Sequence, residues 1–216
     1  MGDSDYWIEG SANTVILLAH GAGAPADSGF MNELSGALVS QELSVWRFEF
    51  DYMRRRRETG RRQPPPRMER LLAELRDQVL AANERVGPGC RLLVAGKSMG
   101  GRVASLLAAE ADADRLAAAA ICFGYPFHPP AKPDRWRTGH LAAARIPVCI
   151  LQGTRDPFGK PAEVRQQPPL GPKVELNWIE GGNHDFQPLK SQGLAQRDLI
   201  RDAARLAAEF SQRNLR

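Results

Sequence analysis

No uncharged apolar run in this sequence approaches the roughly 18–20 residues that a membrane-spanning helix needs. The opening residues, MGDSDYWIEGSANT, also lack a basic cluster followed by an apolar stretch, which is the pattern of a secretory signal. From these two absences we expect neither membrane insertion nor export. The 216 residues are 43% hydrophobic and 25% charged, as in ordinary globular proteins. The length favours a single domain over residues 1–216.

Cysteine is scarce: there are three, an odd number, and none belongs to a paired-ligand spacing such as CxxC. Cys90, Cys122 and Cys149 each lie beside or within strand-like apolar runs, which is typical of small buried side chains. The histidines likewise fall at no metal-ligand spacing. The sequence therefore predicts a reducing compartment, the cytoplasm, and neither a metal site nor a cofactor.

The positive charge of the chain is concentrated in one segment. Residues 54–67, RRRRETGRRQPPPR, hold seven Arg and one Glu, which gives them +6 and leaves −2 for the rest of a chain of net charge +4. Clustered Arg can neutralise phosphates, but no aromatic residues are interleaved with this run, so we do not expect nucleic acid as a partner. We expect a loop over 53–67 that either attracts anionic ligands to a nearby cleft or stays solvated.

Hydrophobic patterning predicts strands that alternate with helices. The predicted strands are 14–20, 43–52, 91–96, 117–125, 147–153 and 173–180, with a weaker candidate at 6–10. Apolar residues at helical spacing predict helices over 68–86, over 101–111 and at about 199–210. This alternation implies right-handed βαβ units and a mostly parallel sheet with helices on both faces. The loops at the carboxyl ends of its strands share one edge, where ligands bind.

The segment GKSMG, residues 96–100, matches the pattern GxSxG between a predicted strand and a predicted helix. In that arrangement, the nucleophile elbow, the serine sits on a tight turn with its hydroxyl above the sheet. Gly96 and Gly100 leave room across the turn, and Gly101 lets the helix start close to the strand. A structural serine in a Gly-rich turn is the alternative, but the flanking strand and helix favour a nucleophile at Ser98.

A serine hydroxyl needs a base to take its proton and an acid to orient that base. His184, in EGGNHDF after the last predicted strand, is the candidate base, and Asp156, in LQGTRDPFG after the preceding strand, is the candidate acid. The chain order Ser98, Asp156, His184 is the one that this architecture uses. We expect the backbone N–H groups of Ala22, in HGAGAP, and of Met99 to form the oxyanion hole.

Several other loop residues are candidates for supporting roles. We expect His20 to fix the HGAGAP loop by hydrogen bonding, and Asp185 to be the wrong acid because adjacent side chains in a loop seldom point at each other. Residues 126–146 form a flap too short for a lid domain. Its residues Phe127, Trp136 and His140 are candidate substrate contacts, and packing of the flap on the sheet is the alternative.

Several segments together resemble the small α/β-hydrolases of the testis-expressed protein 30 type, distantly akin to dienelactone hydrolases: HGAGAP, FDYM with the Arg and Pro stretch, GKSMGGR, FGYPFHPP with RTGHL, QGTRDPFG and GGNHDF. The resemblance covers about residues 14–210. It implies an α/β-hydrolase fold with Ser98, Asp156 and His184 as the triad. The chain is short for this fold, so we expect a reduced sheet of about six or seven strands and no large cap domain.

The leading hypothesis is a serine hydrolase that cleaves an ester, thioester or amide of a small molecule through an acyl-enzyme. Dienelactone hydrolases use cysteine where Ser98 stands, so the resemblance implies no particular substrate. The alternative, which a resemblance to chromatin-complex subunits allows, is a binding or scaffold protein that keeps the fold without turnover. The sequence indicates no particular oligomeric state.

Overall fold

The computed structural model describes residues 6–214, which form a seven-stranded sheet with helices on both sides. The strands are β1 (Trp7–Glu9), β2 (Thr14–Ala19), β3 (Ser44–Phe48), β4 (Arg91–Lys97), β5 (Ala120–Phe123), β6 (Val148–Gly153) and β7 (Val174–Ile179). Their order in the sheet is β1-β3-β2-β4-β5-β6-β7. β1 pairs with β3 in antiparallel fashion, and the other neighbouring strands are parallel. The prediction of a reduced, mostly parallel sheet is confirmed.

Helices connect these strands. Within the described residues they are α1 (Gly29–Val39), α2 (Asp51–Thr59), α3 (Met68–Arg85), α4 (Met99–Leu107), α5 (Ala113–Leu116), α6 (Pro161–Val164) and α7 (Gln196–Asn214). None of the helices within residues 6–214 is long and apolar enough to cross a membrane.

The core lies on both faces of the sheet, because successive side chains of a strand point to opposite sides. In β2, Val15, Leu17 and Ala19 belong to one cluster of buried apolar residues, whereas Ile16 and Leu18 belong to a second cluster. Helices α3 and α4 pack on the first face, and α1 and α7 pack on the second. The predicted architecture, a sheet with helices on both faces, is therefore confirmed.

The carboxyl ends of β2 and β4 lie side by side near the centre of the sheet, where Ala19 pairs in register with Gly96. From β2 the chain goes to β3 on one side, and β4 to β7 follow on the other, so the strand order reverses at this point. Open α/β sheets bind ligands at such a switch point. The loops after Ala19 and after Lys97 therefore start at the place where a ligand is expected.

The prediction of a loop over residues 53–67 is wrong for its first half, because residues 51–59 form α2. Arginine is a good helix former, and Arg54 and Arg55 pair with Asp51 one turn away. The helix ends at Gly60, whose φ of 68° is the left-handed conformation that glycine adopts easily at helix ends. The residues between Gly60 and Met68 belong to no helix or strand.

The flap after β5 contains no inserted domain. Residues 126–146 consist of turns, bends and irregular segments with one 3-10 turn, Leu141–Ala143. The expected absence of a large cap agrees with this short connection to β6.

Candidate active site

Ser98 lies between the end of β4 and the start of α4 in an unusual backbone conformation, with φ 53° and ψ −111°. Few residues other than glycine adopt a positive φ, and such strain costs about 1–3 kcal/mol. The turn is also crowded: a Cβ at Gly96 would lie 2.2 Å from the carbonyl carbon of Gly100, and a Cβ at Gly100 would lie 2.7 Å from the carbonyl oxygen of Ala19. Both glycines are needed for the steric reason that the sequence predicted.

A chain of hydrogen bonds connects the three side chains of the predicted triad. Oγ of Ser98 lies 2.9 Å from Nε2 of His184, and Nδ1 of His184 lies 2.7 Å from Oδ2 of Asp156. The carboxylate can only accept, so Nδ1–H is the donor and Nε2 is left to accept the Ser98 proton. Asp156 is fully buried, whereas 19% of the His184 side chain is exposed. The buried carboxylate of Asp156 therefore orients the imidazole, and part of the ring remains open to solvent.

Asp156 and the imidazole are both held by the loop after β6. The second carboxylate oxygen of Asp156 accepts the backbone N–H of Phe158 at 2.8 Å. The Phe158 ring lies 4.3 Å from the His184 ring, centroid to centroid. These contacts fix the acid and cover one side of the base.

The loop that carries His184 is built around Asn183. Its side-chain oxygen accepts the backbone N–H groups of Asp185 and Gln187, each at 2.9 Å. The loop packs so closely on the end of β6 that a Cβ at Gly153 would lie 2.3 Å from the carbonyl oxygen of Gly182. His184 therefore lies on a turn that is hydrogen-bonded internally and packed closely against the sheet.

A cavity of about 330 Å³ opens above Ser98. Its wall combines the loop after β2, the start of α1, the end of β4 with Ser98, and the loop after β7: Gly21, Ala22, Gly23, Ala24, Ser28, Phe30, Met31, Lys97, Ser98, His184 and Asp185. Of the two residues expected to form the oxyanion hole, Ala22 belongs to this wall and Met99 directly follows Ser98 in the chain. Met99 is the first residue of α4, where backbone N–H groups have no intrahelical acceptor.

The HGAGAP loop is fixed at its base by His20, as predicted. Nε2 of this buried histidine accepts the backbone N–H of Phe50 at 3.2 Å, and Nδ1 lies 2.7 Å from the carbonyl oxygen of Gly21. Burial lowers the pKa of His20, so the ring is neutral and its one proton is on Nδ1, donated to Gly21. His20 therefore acts on the loop rather than on a reacting group.

Sequence reasoning missed the pair formed by Lys97 and Asp185. Nζ of Lys97 lies 3.1 Å from Oδ1 of Asp185 and 5.3 Å from the centre of the Phe30 ring, and both charged residues line the cavity. Burial lowers the pKa of Lys97 despite the nearby carboxylate of Asp185. The sequence signal was the lysine that ends the apolar run RLLVAG directly before the serine.

The flap residues proposed as substrate contacts are not among those that line this cavity. Phe127 is fully buried and packs against Tyr125 and Trp136, with ring centres 4.9 and 6.3 Å apart. Nε2 of His140 lies 2.8 Å from Oγ of Ser105. Phe127 belongs to the buried core and Trp136 packs against it, which favours the alternative that the flap packs on the sheet. Contact of Phe127, Trp136 or His140 with a substrate stays a prediction.

Residues 6–214 contain no group of three or more His, Cys, Asp or Glu side chains placed to hold a metal ion. Cys122 and Cys149 are buried and Cys90 is partly buried, and none of the three forms a disulfide.

A family model described as an alpha/beta hydrolase domain matches residues 12–212. No curated protein sequence matches the chain significantly. Among solved structures, Est1E from Butyrivibrio proteoclasticus is 13% identical, with a TM-score of 0.70 and coverage of 100% of this chain and 97% of its own. A dienelactone hydrolase from Anabaena variabilis is 20% identical (TM-score 0.70; 95% and 88% covered). An esterase from Pyrococcus furiosus is 14% identical (TM-score 0.69; 96% and 85% covered). At these identities the likeness shows a shared fold.

Proposed function

Because the chain belongs to the alpha/beta hydrolase domain family, we propose that it is a serine hydrolase that cleaves an ester, thioester or amide of a small molecule. The observation that carries this proposal is the continuous hydrogen-bond chain from Ser98 through His184 to the buried carboxylate of Asp156. Its nucleophile end opens into a cavity rather than into the core. The segments that resemble the testis-expressed protein 30 type favour that branch of the family.

In the proposed reaction, Oγ of Ser98 attacks the substrate carbonyl while Nε2 of His184 takes its proton. Asp156 keeps the imidazole in the required tautomer and stabilises the imidazolium that forms. The tetrahedral intermediate collapses when His184 returns the proton to the leaving group, which departs as an alcohol, thiol or amine. Water, activated by His184, then attacks the acyl-enzyme and releases the carboxylic acid and free Ser98.

The oxyanion of each tetrahedral intermediate would be stabilised by backbone N–H groups. We assign this role to Ala22 and Met99, which approach the carbonyl from the loop after β2 and from the start of α4. The positive end of the α4 dipole adds to the same effect. Removing one such donor typically lowers kcat by about 10²–10³.

The cavity favours a small acyl group. Its volume of about 330 Å³ is near the lower end of ligand pockets, and its two large apolar side chains, Phe30 and Met31, lie on α1. The Pyrococcus furiosus neighbour is named an esterase, so esters are the first substrates to try.

Hydrolysis of p-nitrophenyl esters of increasing acyl length tests the proposal. We expect turnover of short esters by the wild type and a loss on the order of 10⁶ in kcat for Ser98→Ala. Ser105→Ala is a matched control, because Ser105 also lies 2.8 Å from a histidine nitrogen, in His140, but is fully buried. A folded wild type that cleaves no ester, thioester or amide would favour the binding or scaffold alternative instead.

A further inference from the structure

The loop after β2 is held along its backbone carbonyls by helix α2. The Tyr52 hydroxyl lies 3.0 Å from the carbonyl oxygen of Ala22 and 3.3 Å from that of Gly21, so its single proton is shared between them. Nη1 of Arg56 donates to the carbonyl oxygen of Gly23 at 3.0 Å. Three consecutive carbonyls of a glycine-rich loop therefore bind side chains of one helix.

The far end of the same loop is tied to α2 by Arg57. Its guanidinium forms paired hydrogen bonds to Glu49, at 2.7 and 3.1 Å, and to Asp27, at 2.8 and 3.0 Å. The side chain of Glu49 is 2% exposed, and its Oε1 also accepts the backbone N–H of Ala26 at 3.2 Å. Bidentate arginine–carboxylate pairs are geometrically specific, so this network fixes the distance between α2 and the loop.

The Arg run is thus divided into two pairs. Arg56 and Arg57 bind the loop, whereas Arg54 and Arg55 pair with Asp51 of their own helix and leave 52% and 57% of their side chains exposed. A run selected only for solubility or for attracting anions would not need two arginines with specific backbone and carboxylate partners. This division indicates that Arg56 and Arg57 position the loop after β2.

Because the peptide group is planar, the direction of each of these carbonyls fixes the direction of the N–H group of the next residue. In a trans peptide the N–H of one residue points opposite to the carbonyl of the residue before it. Carbonyls of residues 21–23 that point to α2 therefore direct the N–H groups of Ala22, Gly23 and Ala24 away from it. Residues 21–24 line the cavity above Ser98, which is where the oxyanion forms in the proposed reaction.

We infer that α2 is a positioning element for the oxyanion hole, in which Tyr52 and Arg56 hold the peptide planes of residues 21–24 with their N–H groups toward the cavity. Arg57 holds the helix against the loop. This inference rests on the proposed function. It assigns Arg56 and Arg57 to pre-organisation of the site, and Arg54 and Arg55 to the surface.

Kinetics of Tyr52→Phe and Arg56→Gln test the inference, with Arg55→Gln as the matched control. Each test variant removes a donor to a loop carbonyl, whereas the control removes an exposed arginine from the same helix. On one p-nitrophenyl ester, we expect Tyr52→Phe and Arg56→Gln to lower kcat roughly 10- to 100-fold with KM within about twofold. We expect Arg55→Gln to keep both parameters, and melting temperatures to show that all three variants are folded.

A transition-state analogue separates positioning from general damage. A trifluoromethyl ketone with the same acyl chain forms a hemiketal on Ser98, whose oxygen occupies the oxyanion hole. Its inhibition constant should rise in Tyr52→Phe and Arg56→Gln by the same factor as kcat falls. Wild-type kcat and inhibition in both variants, or a kcat loss without weaker inhibition, would overturn the inference. A wild type without hydrolase activity would overturn the proposed function itself.

Discussion

The ammonium group of Lys97 lies 3.1 Å from a carboxylate oxygen of Asp185, the residue directly after the proposed base. Lys97 precedes Ser98 in the chain and Asp185 follows His184, so this ion pair lies alongside the contact between nucleophile and base. It holds the His184 loop to the end of β4. The lysine is 6% exposed, so its charged form has lost most of its hydration, which costs free energy of folding.

Lys97→Met should raise stability and reduce activity. Burial places the pKa of Lys97 below its ordinary 10.5 in the folded state, so folding disfavours the charged form. The cost is full below the folded pKa and disappears as the pH rises toward 10.5. We expect the variant to melt about 2–4 °C higher at pH 7, with a gap that narrows toward pH 10. Its kcat should fall several-fold as the His184 loop loses its tether.

The control for this variant is Lys132→Met, which changes an exposed lysine of the flap. It should leave both the melting temperature and kcat unchanged. A Lys97→Met protein that melts below the wild type at pH 7 would show that the ion pair stabilises the fold more than burial of the lysine destabilises it.

Ser98→Gly should be more stable than Ser98→Ala, although both are inactive. Alanine retains the Cβ and therefore the strain of φ 53°, whereas glycine adopts this conformation freely. We expect the glycine variant to melt about 2–4 °C higher than the alanine variant in differential scanning calorimetry. Equal melting temperatures would mean that the strained turn stores no measurable energy.

Asp156→Asn should reduce kcat by about 10⁴ and leave the fold intact. The asparagine oxygen can still accept the N–H of Phe158, but its amide cannot accept the Nδ1–H of His184, so the imidazole is held in the wrong tautomer. Ester hydrolysis and circular dichroism measure the two effects. Asp185→Asn is the comparison, and an equal loss there would show that the acid had been wrongly chosen.

His140 should make the fold sensitive to mild acid. Burial, and then the nearby Arg102, lower its pKa from 6.5 to about 4. The unfolded chain therefore binds a proton that the folded chain does not between these values, and stability falls as the pH drops from 6.5 to 4. We expect a flatter profile of unfolding free energy against pH in His140→Asn, measured with urea. Identical slopes in the two proteins would exclude His140 as the source.

The parts of the fold that were predicted are those with a simple hydrophobic pattern. β2 and β4 are continuous apolar runs, and α3 carries Leu71, Leu75 and Val79 at helical spacing. Helix α2 was missed because it is polar almost all round, and its contacts to residues 21–27 are about 30 positions away in sequence. Helix α1 was also missed, since glycines at both its start and its interior weaken the pattern.

The residues of the candidate site likewise fall into those that a sequence pattern marks and those that it does not. Ser98, Asp156 and His184 were found because a motif and a chain order mark them, and the structure brings them together. The sequence left the role of the flap residues open, because a loop has no periodicity that tells which way Phe127 points. The ion pair joins Lys97, at the end of β4, to Asp185, in the loop after β7, and these segments meet only in the folded protein. No local sequence pattern therefore predicts it.

Labelling with a fluorophosphonate, followed by mass spectrometry of the peptides, tests the central claim most directly. The account predicts one phosphonyl group per chain, on Ser98, with strongly slowed labelling in His184→Ala and none in Ser98→Ala. The buried Ser105 should remain unlabelled. Labelling that persists undiminished in Ser98→Ala, or that falls on a different residue of the wild type, would contradict the assignment of Ser98 as the nucleophile.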